Sequence, residues 1–181
     1  SHLAEERRLA DLKTERTMRE SYSGKLIKAP TERVIENLDS PYDSIFGEEG
    51  YDWLTTNNIV INIGKQDAVV CLEQGEKPFK TIRNEFVSAE NSFTMTNIPF
   101  GKYKVKVYEG KNWDFNFIPD GGYTKGGFRK TGRFYLVKQK LAFIRPSSAN
   151  PFPRSADTLT LDSLINEAEM IDAERFFGLR N

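Results

Sequence analysis

Five short apolar runs follow one another between residues 57 and 108, with turn-forming residues between them, and no other feature limits the fold of this chain as strongly. The runs are residues 59–63, 67–72, 81–87, 92–96 and 102–108. In the last run three lysines alternate with Tyr103, Val105 and Val107, which is the period of two that a half-buried strand produces. We predict five strands, the last of which directs Val105 and Val107 into a core and its lysines towards solvent.

Length and composition fit one compact domain with an appended helix. A chain of 181 residues, 38% of them hydrophobic, can bury one core. Residues 3–22 are rich in Glu, Arg, Leu and Ala and contain no Gly or Pro, which favours a helix. Only Leu9 and Leu12 have a helical apolar spacing. We therefore predict a solvent-exposed helical stalk over residues 1–24 and a single domain over residues 25–181.

The start of the chain bears on its chemistry. Ser1 and His2 resemble the remnant of a cleaved purification tag, so we expect the native protein to continue N-terminally and to lack His2. His2 is the one histidine, and histidine is the commonest general base and metal ligand. The sequence also has no phosphate-binding glycine loop. We predict a protein that is not an enzyme and that binds no cofactor or metal.

Charge, cysteine content and apolar run length limit which partners, disulfides and membrane attachments we expect for this chain. Acidic and basic residues balance at 26 each, so no overall field attracts nucleic acid, which we do not expect as a partner. The single cysteine, Cys71, excludes an internal disulfide and lies in an apolar run, where a buried thiol is expected. No apolar run is long enough to span a membrane. Membrane attachment is expected only through sequence that precedes residue 3.

Residues 93–107 carry a characteristic pattern: an apolar strand, an Asn-Ile-Pro-Phe-Gly turn at residues 97–101, and an alternating strand that begins at Tyr103. The pattern resembles the closing hairpin of prealbumin-like, carboxypeptidase-regulatory-like β-sandwich modules, and the similarity covers residues 57–110. The longer stretch of residues 82–114 also resembles uncharacterised bacterial domains of this general kind. The resemblance implies a non-catalytic accessory or spacer domain, often at the cell envelope, and favours that compartment over the cytoplasm.

Aromatic residues are concentrated in residues 110–128, among many Gly, Asn and Asp residues, and we predict a long ordered loop there. The candidate residues for binding a ligand or partner are Trp113, Phe115, Phe117 and Tyr123. Such rings can stack on sugar faces or receive a partner's side chains. We expect Trp113 and Phe115 to pack beneath the loop instead, and the role of Tyr123 stays open.

The ionisable side chains of residues 121–154, the tyrosines apart, are all basic, and six carboxylates follow in residues 157–174. Arg129, Lys130 and Arg133 are the candidate anion patch in this stretch. Aromatic residues lie between the cations, as in grooves that bind single-stranded nucleic acid. We favour mutual neutralisation of the two segments on adjacent strands, with the anion patch as the alternative.

Carboxylates offer two further hypotheses. Asp43, Asp52, Asp114 and Asp120 lie near aromatic residues, as the acids of a sugar-cleaving cleft would. Asp114, Asn116 and Asp120 are also oxygen ligands of the kind that calcium prefers, although their spacing departs from the EF-hand pattern. Aspartate is common in turns for conformational reasons, and we favour that simpler interpretation.

The remaining segments support predictions of local structure. Residues 34–38 fit a helical turn or a short strand, and residues 45–46 and 51–54 are expected as apolar anchors across the core with little regular structure. Residues 134–144 fit a strand, and residues 146–153 fit a linker or a crossing at the edge of the sheet.

The C-terminal segment is ambiguous. Leu159 and Leu161 alternate as in a strand, whereas the next apolar residues have helical spacing, and we predict a strand over residues 158–165. A short helix over residues 172–177 should follow, with Asp172 as its N-cap and Gly178 after its end.

These patterns predict a mainly β protein: an antiparallel β-sandwich of the prealbumin or immunoglobulin type with an N-terminal helix and a short C-terminal helix. The leading hypothesis is a non-catalytic module of a larger, envelope-associated bacterial protein that contacts a protein partner or acts as a spacer. Carbohydrate binding through residues 113–123 is the alternative. A carboxylate-based hydrolase is the second alternative, and it requires two facing carboxyl groups about 5–10 Å apart.

Overall fold

A computed structural model of the protein describes residues 2–11, 33–119 and 124–178. The chain divides into two units, Ser1–Val34 and Ile35–Asn181. In the first unit, residues 2–11 form helix α1, whose side chains are all exposed, in agreement with a polar helix at this position. The rest of the predicted stalk, including its boundary at residue 24, lies outside the described residues.

The second unit is built mainly from strands. In residues 33–119 and 124–178 the elements are, in chain order, α2 (Asp43–Phe46), β1 (Asn58–Asn62), β2 (Asp67–Gln74), β3 (Thr81–Val87), β4 (Ser92–Met95), β5 (Gly101–Asp114), β6 (Gly127–Leu136), β7 (Leu141–Phe143), β8 (Ala156–Thr160), α3 (Leu161–Leu164), a 3-10 turn (Ile165–Glu167), β9 (Glu169–Ile171) and α4 (Ala173–Phe177). The five strands predicted between residues 57 and 108 are all present.

The strands form two sheets, which confirms the predicted mainly β, two-sheet fold. The smaller sheet has the order β4-β1-β8, and the larger has the order β3-β2-β5-β6-β9, with β7 paired to the start of β5. Neighbouring strands are antiparallel, except that β8 runs parallel to β1. This parallel pairing places β8, from the C-terminal part of the chain, beside β1. The long stretch of chain between the two strands provides the connection that parallel strands need.

The two sheets enclose an apolar core. Alternate residues of β1, β2 and β5 face it, and Val105 and Val107 are fully buried there as predicted. The core also includes Ile59, Ile61, Val70, Leu72, Tyr135, Leu141 and Leu159. Burial of this set supplies the main driving force for folding of the unit.

The opposite face of the larger sheet is not the solvent-exposed surface that the lysines of β5 predict. Lys102 is exposed and Lys104 half-buried, but Lys106 is fully buried. A second apolar cluster covers this face, and both helix α4 and the segment around α2 contribute to it. Its buried members are Tyr42, Val69, Cys71, Phe86, Tyr108, Phe128, Ala173, Phe176 and Phe177. The prediction is wrong for Lys106 because period-2 alternation cannot reveal a helix that packs over the polar-looking face.

Strand β3 is an edge of the larger sheet, and residues 38–50 cover it. Leu38 N and Gly50 N donate to the carbonyl oxygens of Phe86 and Ile82, each at 2.7 Å. These bonds satisfy backbone groups that would otherwise remain unpaired at the edge. Residues 34–38 form neither the helical turn nor the strand predicted for them, and Leu38 is bound to the edge of β3 from an irregular segment.

Both ends of the long loop predicted over residues 110–128 are strand, which makes the loop shorter than predicted. Strand β5 continues to Asp114 and β6 starts at Gly127, so the connection is only residues 115–126. Gly110 lies inside β5, where a Cβ atom would be 2.6 Å from Cβ of Phe128. The glycine therefore permits close packing between strands, a role that looks the same in sequence as a turn.

The C-terminal segment combines both of its patterns. Strand β8 ends at Thr160, not near residue 165, because the helical spacing that starts at Leu161 prevails in α3. Helix α4 agrees with its prediction: Asp172 Oδ1 accepts from Arg175 N at 2.7 Å, and Gly178 has a φ of +72°. Residues 134–144 divide between β6 and β7, and residues 146–153 contain no helix or strand.

Candidate functional site

Three side chains stack on one another where residues 50–55 pass the start of β3. The guanidinium carbon of Arg83 lies 3.6 Å from the centroid of the Tyr51 ring. On the other side, the rings of Tyr51 and Trp53 lie parallel within 3°, with their centroids 4.7 Å apart. Arg83 is buried and Trp53 is 73% exposed, so the stack leads from a buried cation to an indole at the surface.

Trp53 and Leu54 are predicted as core anchors, and that prediction is wrong. Leu54 is 97% exposed and lies directly beside the exposed Trp53. Asp52 explains the difference: its Oδ1 accepts from Leu54 N and its carbonyl oxygen accepts from Thr55 N, both at 3.0 Å. A third bond, from Asp52 N to Asn97 O at 2.8 Å, anchors the turn. This fixed turn holds both side chains outside the core.

The base of the stack is built from buried polar groups. Arg83 Nη1 donates to Thr96 O at 2.7 Å, and Arg83 Nη2 lies 3.7 Å from Glu85 Oε1. Burial raises the pKa of Glu85 to about 7, against the opposing effect of the Arg83 cation. The guanidinium also attracts the face of Tyr51, and such a contact is stronger when it is shielded from water.

The Tyr51 hydroxyl is held as firmly as its ring. It donates to Glu49 Oε2 at 2.8 Å, while Glu49 Oε1 accepts from Ser40 Oγ at 2.5 Å. Burial, together with this bond to Glu49, raises the pKa of Tyr51 to about 12. The hydroxyl therefore stays protonated at neutral pH and cannot serve as a base there.

This arrangement suits binding better than catalysis. Since Tyr51 covers one face of the indole and most of Trp53 is exposed, the opposite face is open to solvent. The open face and the neighbouring Leu54 can receive an apolar or planar group. The sequence by itself does not indicate this site, because Tyr51, Trp53 and Leu54 look like core residues. The one feature of the sequence that indicates exposure of these residues is their position in a turn-rich segment that starts with Glu48 and Glu49.

A second polar cluster lies under α4, away from solvent. Glu73 accepts two hydrogen bonds from Arg175, at 2.7 and 2.8 Å, and its Oε1 lies 3.5 Å from Lys106 Nζ. Lys106 also donates to Phe176 O. Burial lowers the pKa of Lys106 and raises that of the neighbouring Cys71 to about 12. The side chains of Lys106 and Glu73 and the Cys71 thiol are fully buried, so this cluster joins α4 to the sheet and offers no reactive group to a substrate.

The predicted aromatic site residues lie on or beside the second apolar cluster. Trp113 is half-buried, with its ring centroid 5.1 Å from that of Phe128, and Phe115 packs edge-on against it at 5.7 Å. Phe117 lies beneath the Arg129 guanidinium, 5.5 Å from its carbon. The rings of Trp113 and Phe115 contact each other, and Trp113 also contacts Phe128 of β6, which agrees with the packing expected for both residues. Tyr123 lies outside the described residues.

The predicted anion patch is largely neutralised in place. Arg129 Nε lies 2.6 Å from Asp114, and Arg133 Nε lies 2.6 Å from Glu109. Both carboxylates belong to β5, so the neutralising strand is not the C-terminal acidic segment that we expect from sequence. The C-terminal acidic segment contributes the pair between Arg154 and Asp157, 3.6 Å apart.

Lys130 is the remaining member of the patch. It is exposed and lies opposite Lys111 in the β5–β6 register.

The aspartates that suggested a hydrolase have local structural partners. Asp43 Oδ1 accepts from Asn84 Nδ2 at 2.9 Å, and Asp52 forms the turn described above. Asn116 N–H and the Arg129 guanidinium bind Asp114 and lower its pKa. Asp120 lies outside the described residues. In residues 2–11, 33–119 and 124–178, no group of three or more His, Cys, Asp or Glu side chains is arranged to hold a metal ion.

The raised pKa of Glu85 predicts a pH-dependent stability. A carboxyl group whose pKa is higher in the folded state stabilises the fold below its unfolded value of 4.5, and this contribution is lost as the pH rises through about 7. We expect the stability of Glu85→Gln relative to wild type to increase by roughly 2 kcal/mol between pH 4.5 and pH 8. Urea unfolding at a series of pH values measures this difference.

The matched control for this experiment is Glu48→Gln, which changes an exposed carboxylate in the same region. Its stability relative to wild type should stay within about 0.5 kcal/mol over the whole pH range. Parallel curves for wild type and Glu85→Gln would contradict the burial of this carboxyl group.

Of the helices in the described ranges, none has the length and apolarity needed to cross a membrane. A scan against protein-family models, a search of curated proteins and a search of solved structures each found no match to this chain.

Proposed function

We propose that this chain is a non-catalytic interaction module, of the prealbumin-like sandwich kind, that binds a protein partner through Trp53 and Leu54. The observation that carries the proposal is the exposure of these two adjacent large apolar side chains on a hydrogen-bonded turn. Single exposed apolar residues are common, whereas two adjacent ones on a fixed turn offer a partner a continuous apolar surface. The resemblance of residues 57–110 to accessory modules supports the same class of function.

The fixed position of the Trp53 side chain favours this surface as a binding site. Trp53 is stacked on Tyr51, which is stacked on the buried Arg83, so the indole is already ordered before a partner arrives. A preordered side chain loses little conformational entropy on binding. Tryptophan is also one of the residue types that are enriched among those that dominate binding energy at protein interfaces.

Carbohydrate binding is the second candidate, and a specific observation now supports it at a different place. The aromatic residues of the 113–117 segment pack on one another, whereas the Trp53 indole presents one open, flat face. A sugar ring can stack on such a face through its C–H groups. Under this candidate Trp53 alone carries recognition, and Leu54 contributes little.

The test is loss of partner binding in the variant Trp53→Ser/Leu54→Ser. A partner isolated with the wild-type chain and then purified should bind this variant at least about 30-fold more weakly in calorimetry, because truncating a dominant interface tryptophan costs about 2 kcal/mol or more. Thermal unfolding should change little, since both side chains are exposed.

Phe152→Ser is the matched control, since Phe152 is also a highly exposed aromatic residue. Equal partner affinity for wild type and the double variant would refute the proposed surface. A glycan array read with wild type, Trp53→Ser and Leu54→Ser separates the candidates: glycan binding lost only with Trp53 supports the carbohydrate function.

A further inference from the structure

A groove of about 540 Å³ lies between the β2–β3 hairpin and the start of β5. The residues that define it for binding are Glu76, Lys77, Pro78, Phe100, Lys102 and Tyr103. Its walls are fixed: Gly75 N donates to Lys102 O at 2.8 Å, and the Tyr103 hydroxyl donates to Pro99 O at 2.8 Å. At Gly75 a Cβ atom would lie 3.3 Å from Lys102 O, so glycine allows the hairpin to approach β5 closely.

Positive charge surrounds the groove. Lys77 and Lys102 line it, and the Arg145 guanidinium lies over Phe100, 4.8 Å from the ring centroid. Lys104, the next alternate residue of β5, reaches over Phe79 at 5.5 Å. The whole chain has a net charge of zero, so this local excess is a property of the fold and not of the composition.

The one carboxylate in the groove lining does not cancel this charge. Glu76 lies 3.7 Å from Lys102, but both side chains are more than 70% exposed. Pairs of this kind contribute little because water screens them and both side chains keep their freedom. Glu73 lies nearby on β2 but is fully buried and bound by Arg175. The groove therefore has unneutralised cations available for an anionic ligand.

We propose that this groove binds a carboxylate-rich peptide segment of a partner protein. Charge complementarity gives the sign of the ligand. Nucleic acid fits less well, because its bases need open aromatic faces on which to stack. Phe100 is covered by Arg145, and Phe79 lies under both Lys104 and Arg175. A volume of about 540 Å³ takes only a few side chains, which suits a short acidic motif.

The proposal is independent of the Trp53 surface, and its test leaves Trp53 and Leu54 unchanged. The probe is a fluorescein-labelled hexaglutamate peptide, titrated with the full chain and followed by fluorescence anisotropy. We expect saturable binding that Lys77→Glu/Lys102→Glu weakens about tenfold or more, and that weakens as salt is raised from about 50 to 200 mM. Lys77→Gln/Lys102→Gln, which removes charge without reversing it, should give a smaller loss.

The matched control is Lys65→Glu/Lys111→Glu, which makes the same charge change on two exposed lysines outside the groove lining. Peptide affinity within about threefold of wild type in this control supports the groove as the site. Equal losses in both charge-reversal variants, no saturable binding by the wild type, or tighter groove-dependent binding of a hexameric single-stranded oligonucleotide would each overturn the proposal. Circular dichroism and thermal unfolding confirm that every variant compared is folded.

Discussion

Replacing Glu73 with glutamine should lower the free energy of unfolding by about 3–5 kcal/mol. Glu73 is the anion between Lys106 and Arg175, and its side chain and that of Lys106 are both fully buried. Glutamine keeps the shape of the side chain but removes the charge, so Lys106 would remain buried without an anion. Removal of one partner from a buried pair is costly for that reason. Urea unfolding at neutral pH measures the loss.

The pH dependence of this loss is a further expected result. Burial lowers the pKa of Lys106, and removal of Glu73 would lower it more. A base whose pKa is lower in the folded state gains stability as pH rises, because the folded state then binds fewer protons than the unfolded state. The destabilisation in Glu73→Gln should therefore shrink as the pH is raised towards the unfolded lysine pKa of 10.5.

Two variants make the Glu73 result interpretable. Glu76→Gln removes an exposed carboxylate three residues away and should change stability by less than about 0.5 kcal/mol. Glu73→Leu/Lys106→Met removes both fully buried charges and should recover most of the loss, because apolar side chains of similar volume often replace buried ion pairs without cost. Equal effects of Glu73→Gln and Glu76→Gln would show that the first site is not buried in solution.

Replacing Phe176 with alanine should destabilise the chain by about 3–5 kcal/mol. Phe176 is fully buried in α4, and its ring contacts those of Tyr42, Phe46, Tyr108, Phe134 and Phe177, with centroids 5.0–6.3 Å apart. The substitution removes a large side chain from this cluster and leaves a cavity that the surrounding rings cannot fill completely. Thermal and urea unfolding both measure the effect.

The control for Phe176 is Phe152→Ala, at an exposed phenylalanine in the linker before β8. Its stability should stay within about 0.5 kcal/mol of wild type. A loss below about 1 kcal/mol in Phe176→Ala would mean that α4 does not cover the larger sheet in solution. In that case Lys106 would be open to solvent, and the expected effect of Glu73→Gln would disappear with it.

Both faces of the larger sheet are largely buried, so the ends of the sheet are the places where a partner can bind. One face packs against the smaller sheet, and the aromatic cluster with α4 covers much of the other. The surfaces that remain available include turns and hairpins, where Trp53 and the lysine groove are found. Placing recognition on such connections lets the rigid sheets position it without being disturbed by binding.

The strands were the most predictable part of this protein. Val105 and Val107 alternate with lysines, and a period of two depends only on backbone geometry, so β5 could be located from the residues themselves. The cap of α4 was predictable for the same reason, since Asp172 and Gly178 act within one turn of the helix.

The candidate site was less predictable because its residues come from separate segments. Tyr51 and Trp53 lie on a turn, whereas the Arg83 beneath them lies on β3. Aromatic residues in a sequence indicate burial in general, and only their neighbours in space decide which ring stays exposed. The same limit applies to Trp113, which lies in a segment with the composition of a loop but belongs to β5.

The amino-acid sequence alone determined the positions of the first five strands, the cap of the C-terminal helix and the burial of Cys71, because local periodicity and turn chemistry specify them. Tertiary structure alone decided that Lys106 is buried, that Trp53 is exposed and that lysines from separate segments surround one groove. Each of these depends on contacts between residues far apart in the chain. Local pattern contains no record of such contacts, since the same lysine or tryptophan fits either environment until α4, β3 or the β2–β3 hairpin packs against it.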